Sequence, residues 1–230
     1  WDPGERSILV NVPTFELHAY EQGREAVAMR VITGKGDSPT PVLGETIDEV
    51  VFSPHWNVPP NILEAEVMPK IRKDPGYLAR NDMELVRGEA GEVSVRQRPG
   101  PRNSLGLVKF LFPNPFHIYL HDTPSDGLFA RDGRAFSHGC VRLEKPEELA
   151  RFVLRGSDWD DAAIARAMRS GKEQFVALAH GIPVTIAYFT AWVDADGTVR
   201  FGPDLYRHDL AQQKLLPVPR PAAMVVAARY

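Results

Sequence analysis

A chain of 230 residues, 43% hydrophobic and 25% charged, is long enough to bury one substantial core and carry a smaller insertion. Its 27 basic and 30 acidic side chains leave a formal net charge of −3, which gives no general reason to expect a nucleic-acid partner. No apolar run is long enough for a membrane-spanning helix, and no stretch reads as a signal peptide, so with Trp1 as first residue a targeting segment is expected to lie outside this chain.

The first third reads as β structure. Residues 7–12 form an apolar strand-like run, residues 15–20 alternate with period two, and residues 26–32 make a third short strand, with breaks at Pro13-Thr14 and Glu21-Gln22-Gly23-Arg24. An antiparallel meander is therefore predicted. Strand character resumes at 49–52 after a polar loop at 35–41. From Trp56 to Gln97 the pattern changes, and this stretch is read as an excursion from the main sheet, either a functional lid or a passive surface insertion. Within it, Ile62, Val67 and Ile71 have helical spacing, and Pro69 is expected to make that helix short or broken. Residues 80–90 suggest a loop or hairpin. Arg96, Arg98, Arg102 and Lys109 form a local basic stretch, read as a solvated face.

Two more strands are predicted at 107–112 and 117–121, joined by Pro113-Asn114-Pro115. Pro146 opens a helix with Glu147 and Glu148 in its first turn, and a second helix is predicted over 160–168. Residues 183–201 read as a hairpin around Asp196-Gly197, residues 204–216 as a last helix, and residues 217–230 as a tail. The fold class is mainly β with a few helices.

The chemistry centres on Cys140, the chain's single cysteine, in the run Ser137-His138-Gly139-Cys140-Val141-Arg142. A lone thiol cannot form an intrachain disulfide, so packing, metal binding or nucleophilic chemistry must explain it. Free cysteines are commonly buried packing residues, but a core thiol is normally flanked by apolar neighbours, and this one is not. His121 is the candidate base that accepts the thiol proton. On a strand, His117, Tyr119 and His121 share one face, while Ile118 and Leu120 take the other. Gly139 permits close backbone approach, and backbone N–H groups beside it are candidates for stabilising an oxyanion. Tyr119 can add a hydroxyl donor. Arg142 is either a fixed positive charge for a substrate carboxylate or a surface ion-pair partner. His138 is read first as a local hydrogen-bonding residue. His117, His121, His138 and Cys140 are all possible zinc ligands, but their spacing matches a zinc site poorly, and no metal is expected.

The combination of His121 with Ser137-His138-Gly139-Cys140 resembles the YkuD-type L,D-transpeptidases. The resemblance covers roughly residues 7–155. It extends through residues 41–43, 56–60, 74–78, 103–106 and 120–124, which look like the YcbB-like branch, as does Arg142 in place of the asparagine of many members. It implies a β-sandwich catalytic domain of the L,D-transpeptidase type, spanning 1–230, with 56–97 as an inserted capping subdomain over the donor site. The implied partners are peptidoglycan stem peptides, donor and acceptor, in the periplasm or cell envelope. Cys140 would attack the L,D peptide bond, expel D-alanine and form a thioester, which an amine resolves. The Asp122 carbonyl would orient His121. Tyr119, Arg142, Ser137, His138, Asp122 and Trp56 would contact substrate, and carbapenems would acylate Cys140. No cofactor is implied, and a monomer is expected.

Two other readings remain open: an L,D-carboxypeptidase that uses water as acceptor, and a peptidoglycan-binding module with an inactive site. A papain-like peptidase fits less well, since there the cysteine precedes its histidine.

Overall fold

The computed structural model describes residues 4–88, 91–194 and 196–216. The tail read at 217–230 lies outside the described residues. In chain order the strands are β1 (Arg6–Asn11), β2 (Glu16–Glu21), β3 (Arg24–Gly34), β4 (Leu43–Phe52), β5 (Trp56–Asn57), β6 (Met83–Arg87) and β7 (Val93–Gln97). They continue as β8 (Val108–Leu111), β9 (Leu120–His121), β10 (Ala135–Ser137), β11 (Val141–Leu143), β12 (Gln174–Ala187), β13 (Ala191–Val193) and β14 (Val199–Phe201).

The amino-terminal meander forms as the alternation predicts. Leu17 and Ala19 of β2 are fully buried and pair with Val10 and Ile8 of β1. The β2–β3 connection is the two-residue turn Gln22-Gly23, with φ of 51° and 72°, a twist that suits a tight hairpin. The main sheet runs β10-β3-β11-β9-β8-β4-β12-β1-β2, and β2 also pairs with β3, so the strands from β3 round to β2 close into a ring. Phe52, Phe110, Leu120, Val141 and Leu143 fill its interior. The helix Pro146–Val153 adds Leu149, Ala150, Phe152 and Val153 to the same core. Each large side chain so buried contributes about 1.5–3 kcal/mol relative to exposure. The helix Asp161–Met168 starts at Asp160, whose carboxylate accepts from the Ala163 amide at 2.6 Å.

Residues 56–97 build a separate unit. β5, β7 and β6 form their own three-stranded sheet, and Val58, Val67, Met83 and Val95 form their own apolar cluster. Pro69 does not break the helix here. Helical residues run continuously from Pro60–Ile62 through a π turn at Leu63–Val67 into Met68–Lys73. A proline ring clashes with the carbonyl four residues back, and the wider turn ahead of Pro69 accommodates it.

Other expectations need correction. Val184–Ala187 does not pair with residues 198–201; it ends the fourteen-residue β12, held by β4 on one side and β1 on the other. The hairpin around Gly197 is β13–β14 instead. The last helix covers only His208–Gln213. β9 is two residues long, because His117 has a φ of 55° and leaves strand geometry. The basic stretch is the expected solvated face at Arg98 and Arg102, which are exposed, but not at Lys109. Arg96 and Arg98 pair with Glu84, Arg102 pairs with Asp82, and Lys109 is half-buried on β8.

Candidate active site

β11 lies parallel to β9 with Val141 beside Leu120 and Arg142 beside His121. Paired residues on neighbouring strands point to the same side of a sheet and alternate along each strand. Leu120 and Val141 therefore fill the core, while His121 and Arg142 share the opposite face, with Tyr119 and Cys140 one pair further back. The Tyr119 carbonyl accepts from the Val141 amide at 3.2 Å. The Tyr119 and His121 rings meet edge to face at 5.6 Å between centroids. Residues twenty-one positions apart are thus paired by two short strands buried on their other side.

His121 is 4% exposed, and its Nδ1 lies 2.5 Å from the Asp122 carbonyl oxygen. A carbonyl only accepts, so Nδ1 carries the proton and Nε2 keeps its lone pair. Burial first, then the Arg142 and Lys109 cations, push the His121 pKa down to about 3. Burial likewise pushes the Cys140 thiol up to about 11, against the opposing pull of the Tyr119 amide and Arg142. At neutral pH the resting pair is a neutral thiol and a neutral imidazole with Nε2 unprotonated. Such a pair suits general-base chemistry, in which a proton leaves sulfur as the sulfur attacks, better than a preformed thiolate.

The turn before Cys140 is tied down on both sides. Ser137 Oγ donates to the Cys140 carbonyl and accepts from the Gly139 amide at 3.1 Å. Of the successive backbone N–H groups expected there, the Gly139 amide is thereby already paired. The Cys140 amide has no hydrogen-bond partner among the described residues and is a backbone donor at the site. Gly139 has a φ of 114°, which a side chain would strain. Its carbonyl accepts from Thr40 Oγ1 at 2.8 Å, and Thr40 Oγ1 accepts from the Gly34 amide at 2.8 Å. Tyr206 Oη closes the network, donating to the Gly34 carbonyl at 2.6 Å and accepting from the Thr40 amide at 3.1 Å.

Asp122 differs from expectation too. Its carboxylate accepts from the Leu107 and Thr123 amides, each at 2.7 Å, and it does not line the cleft. A side chain on Gly106, at a φ of 61°, would collide with that carboxylate. Asp122 therefore shapes the site through its backbone carbonyl and its grip on the loop before β8. Ser137 is similarly a turn-holding group, although it borders the cleft.

The cleft over Cys140 encloses about 450 Å³. Its floor carries Tyr119, His121, Cys140 and Arg142, and Trp56, Pro59, Ile62 and Glu66 of the 56–97 unit form the opposite wall. His138 Nε2 is 2.8 Å from Glu66 Oε1, linking the nucleophile turn to that wall. Arg142 has no ion-pair partner among the described residues, and its buried Nε has no hydrogen-bond partner. Glu66, Thr40, Tyr206 and the Lys109 Nζ, 5.8 Å from the Tyr119 ring centroid, were not legible as site residues. Only the strand alternation of Lys109 with its neighbours offered a signal.

A cysteine and a histidine with an unprotonated Nε2 on the floor of one cleft are the groups that a cysteine acyl-transfer class of site requires. The family model described as the L,D-transpeptidase catalytic domain, YkuD, matches residues 5–173, and the chain belongs to that family. It is 33% identical over 218 residues to the Haemophilus influenzae protein named "Putative L,D-transpeptidase", covering 88% of this chain and 44% of that protein. The chain thus spans less than half the length of that curated relative. Among solved structures, an L,D-transpeptidase from Mycobacterium smegmatis is 13% identical, with a TM-score of 0.44 over 80% of this chain and 58% of that one. The catalytic domain of the E. faecium L,D-transpeptidase acylated by ertapenem is 12% identical, with a TM-score of 0.37 over 80% of this chain and 97% of that one.

Proposed function

We propose that the chain is a peptidoglycan L,D-transpeptidase domain acting in the cell envelope, with Cys140 as nucleophile and His121 as base. The observation that carries this reading is the parallel β9–β11 register, which sets a correctly tautomerised imidazole and the cysteine on one cleft floor. In the acylation step Cys140 Sγ bonds to the carbonyl carbon of the donor's L,D peptide bond while its proton passes to His121 Nε2. The Cys140 amide and the Tyr119 hydroxyl face the developing oxyanion. Collapse breaks the C–N bond, His121 returns its proton to the departing D-alanine amine, and a thioester remains. An amine of a second stem then attacks the thioester carbon, loses its proton through His121, and restores the thiol. Arg142, unpaired at the cleft floor, meets a substrate carboxylate. Trp56 and the rest of 56–97 serve as a cap over the donor, and that cap together with Arg142 supports placement in the YcbB-like branch.

The test incubates the protein with purified tetrapeptide muropeptides and follows products by mass spectrometry. Cross-linked dimers with release of D-alanine are expected, absent in Cys140→Ala. Tripeptides alone would assign hydrolysis instead, and no Cys140-dependent turnover would overturn both. A carbapenem is expected to add covalently at Cys140.

A further inference from the structure

Among the charged residues that line the cleft there is one carboxylate, Glu66, and one permanent cation, Arg142. They sit on different parts of the molecule, Glu66 in the π turn of the 56–97 unit and Arg142 on β11. Arg142 is near enough to feel the charge of Glu66, yet the two form no ion pair among the described residues. Opposite charges that face across a cleft without touching leave a gap that a ligand carrying both charges can fill. Arg142 holds a buried Nε without a partner, a costly arrangement in an empty site. Glu66 is fixed on one side only: Oε1 accepts from His138, and Oε2 has no partner among the described residues. Its side chain is 42% exposed, so it is open to a ligand.

We propose that Glu66 is a specificity-determining residue: it takes a free ammonium on the donor while Arg142 takes a carboxylate, so the cleft selects a donor whose side chain ends as a zwitterionic amino acid. This rests on the transpeptidase reading above. His138 acts as a positioning residue, holding Glu66 Oε1 so that Oε2 points into the cleft. The π turn sets Glu66 facing His138 while its neighbour Val67 packs inside the 56–97 cluster.

The test compares three tetrapeptide donors: one whose third residue ends in a free ammonium and carboxylate, one with that ammonium acetylated, and one with that carboxylate amidated. Wild-type protein is expected to favour the zwitterionic donor over the acetylated one by about tenfold in kcat/KM, carried by KM, as fits one charge-assisted hydrogen bond. Glu66→Gln keeps an acceptor for His138 but removes the charge. It is expected to lower the zwitterionic donor to the level of the acetylated one while still discriminating against the amidated one. Rates are referred to the fraction of Cys140 acylated by a β-lactam, which separates lost specificity from lost fold. Equal wild-type rates on the free and acetylated donors overturn the Glu66 assignment and leave the transpeptidase reading intact. An undiminished preference in Glu66→Gln overturns it as well. Failure of wild type to process any donor overturns the underlying reading.

Discussion

The ring of His121 is fixed by the residue next to it in sequence: Nδ1 donates to the Asp122 carbonyl oxygen at 2.5 Å, and this bond decides which ring nitrogen can accept a proton. The carbonyl is available because the Asp122 side chain turns away to the Leu107 and Thr123 amides. Asp122 thus serves the site twice, with two different groups. Its carbonyl sets the tautomer, and its carboxylate fixes the chain on either side.

The acylation rate is expected to be insensitive to acid over the range in which an ordinary histidine titrates. With the His121 pKa lowered to about 3 by burial and neighbouring cations, Nε2 stays unprotonated as the pH falls through 6.5. Stopped-flow measurement of β-lactam acylation across pH checks this, and an acid limb centred near 6.5 would contradict it. Alkylation of Cys140 by iodoacetamide is expected to keep rising beyond pH 9, since burial lifts the thiol to about 11.

Stability follows from the same two shifts. The folded-state pKa of His121 lies below its unfolded value, so between about 6.5 and 3 the unfolded chain binds a proton that the folded one does not, and stability falls with pH at about 1.4 kcal/mol per unit from this group. Cys140 works in the other direction: its raised pKa makes stability fall as pH climbs from 9 towards 11. Urea melts of wild type and His121→Gln are expected to converge as the pH drops below 6.5.

Asp122→Asn separates the two uses of Asp122. The amide can accept from one of the two backbone N–H groups but presents N–H to the other, so a loss of about 1–3 kcal/mol in stability is expected. Acylation per folded molecule is expected to survive, because the carbonyl that holds His121 is unchanged. His121→Gln, by contrast, is expected to slow acylation by about a hundredfold or more while the protein stays folded. Denaturant melts beside β-lactam acylation rates check both.

Thr40→Val leaves the Gly34 amide and the Gly139 carbonyl without their hydroxyl partner in a buried setting, with an expected cost of about 1–3 kcal/mol. Because Gly139 immediately precedes Cys140, the proposed nucleophile, kcat for acylation is expected to fall with little change in KM. Restoration by Thr40→Ser checks that the hydroxyl is the cause.

Much of this was legible in the chain. Alternation at 15–20 found β2, the residues around Cys140 argued against a packing thiol, and His121 with Ser137-His138-Gly139-Cys140 pointed to the family that the match over residues 5–173 shows. Proline read locally misled at Pro69, where the π turn takes up the clash, and turn signals misled at 183–201, where pairing to β4 and β1 outweighs a local hairpin.

By itself the sequence determined the mainly-β class and singled out Cys140 and His121 as the candidate pair, because these rest on residue type and on short-range periodicity. Tertiary structure alone decided which groups surround them. The β9–β11 register joins residues twenty-one apart, Tyr206 reaches back to Gly34 and Thr40, and Glu66 arrives at His138 across seventy-two residues. The protonation states of Cys140 and His121 also belong to the fold, since burial dominates both shifts and burial exists only once the distant strands have closed over the core.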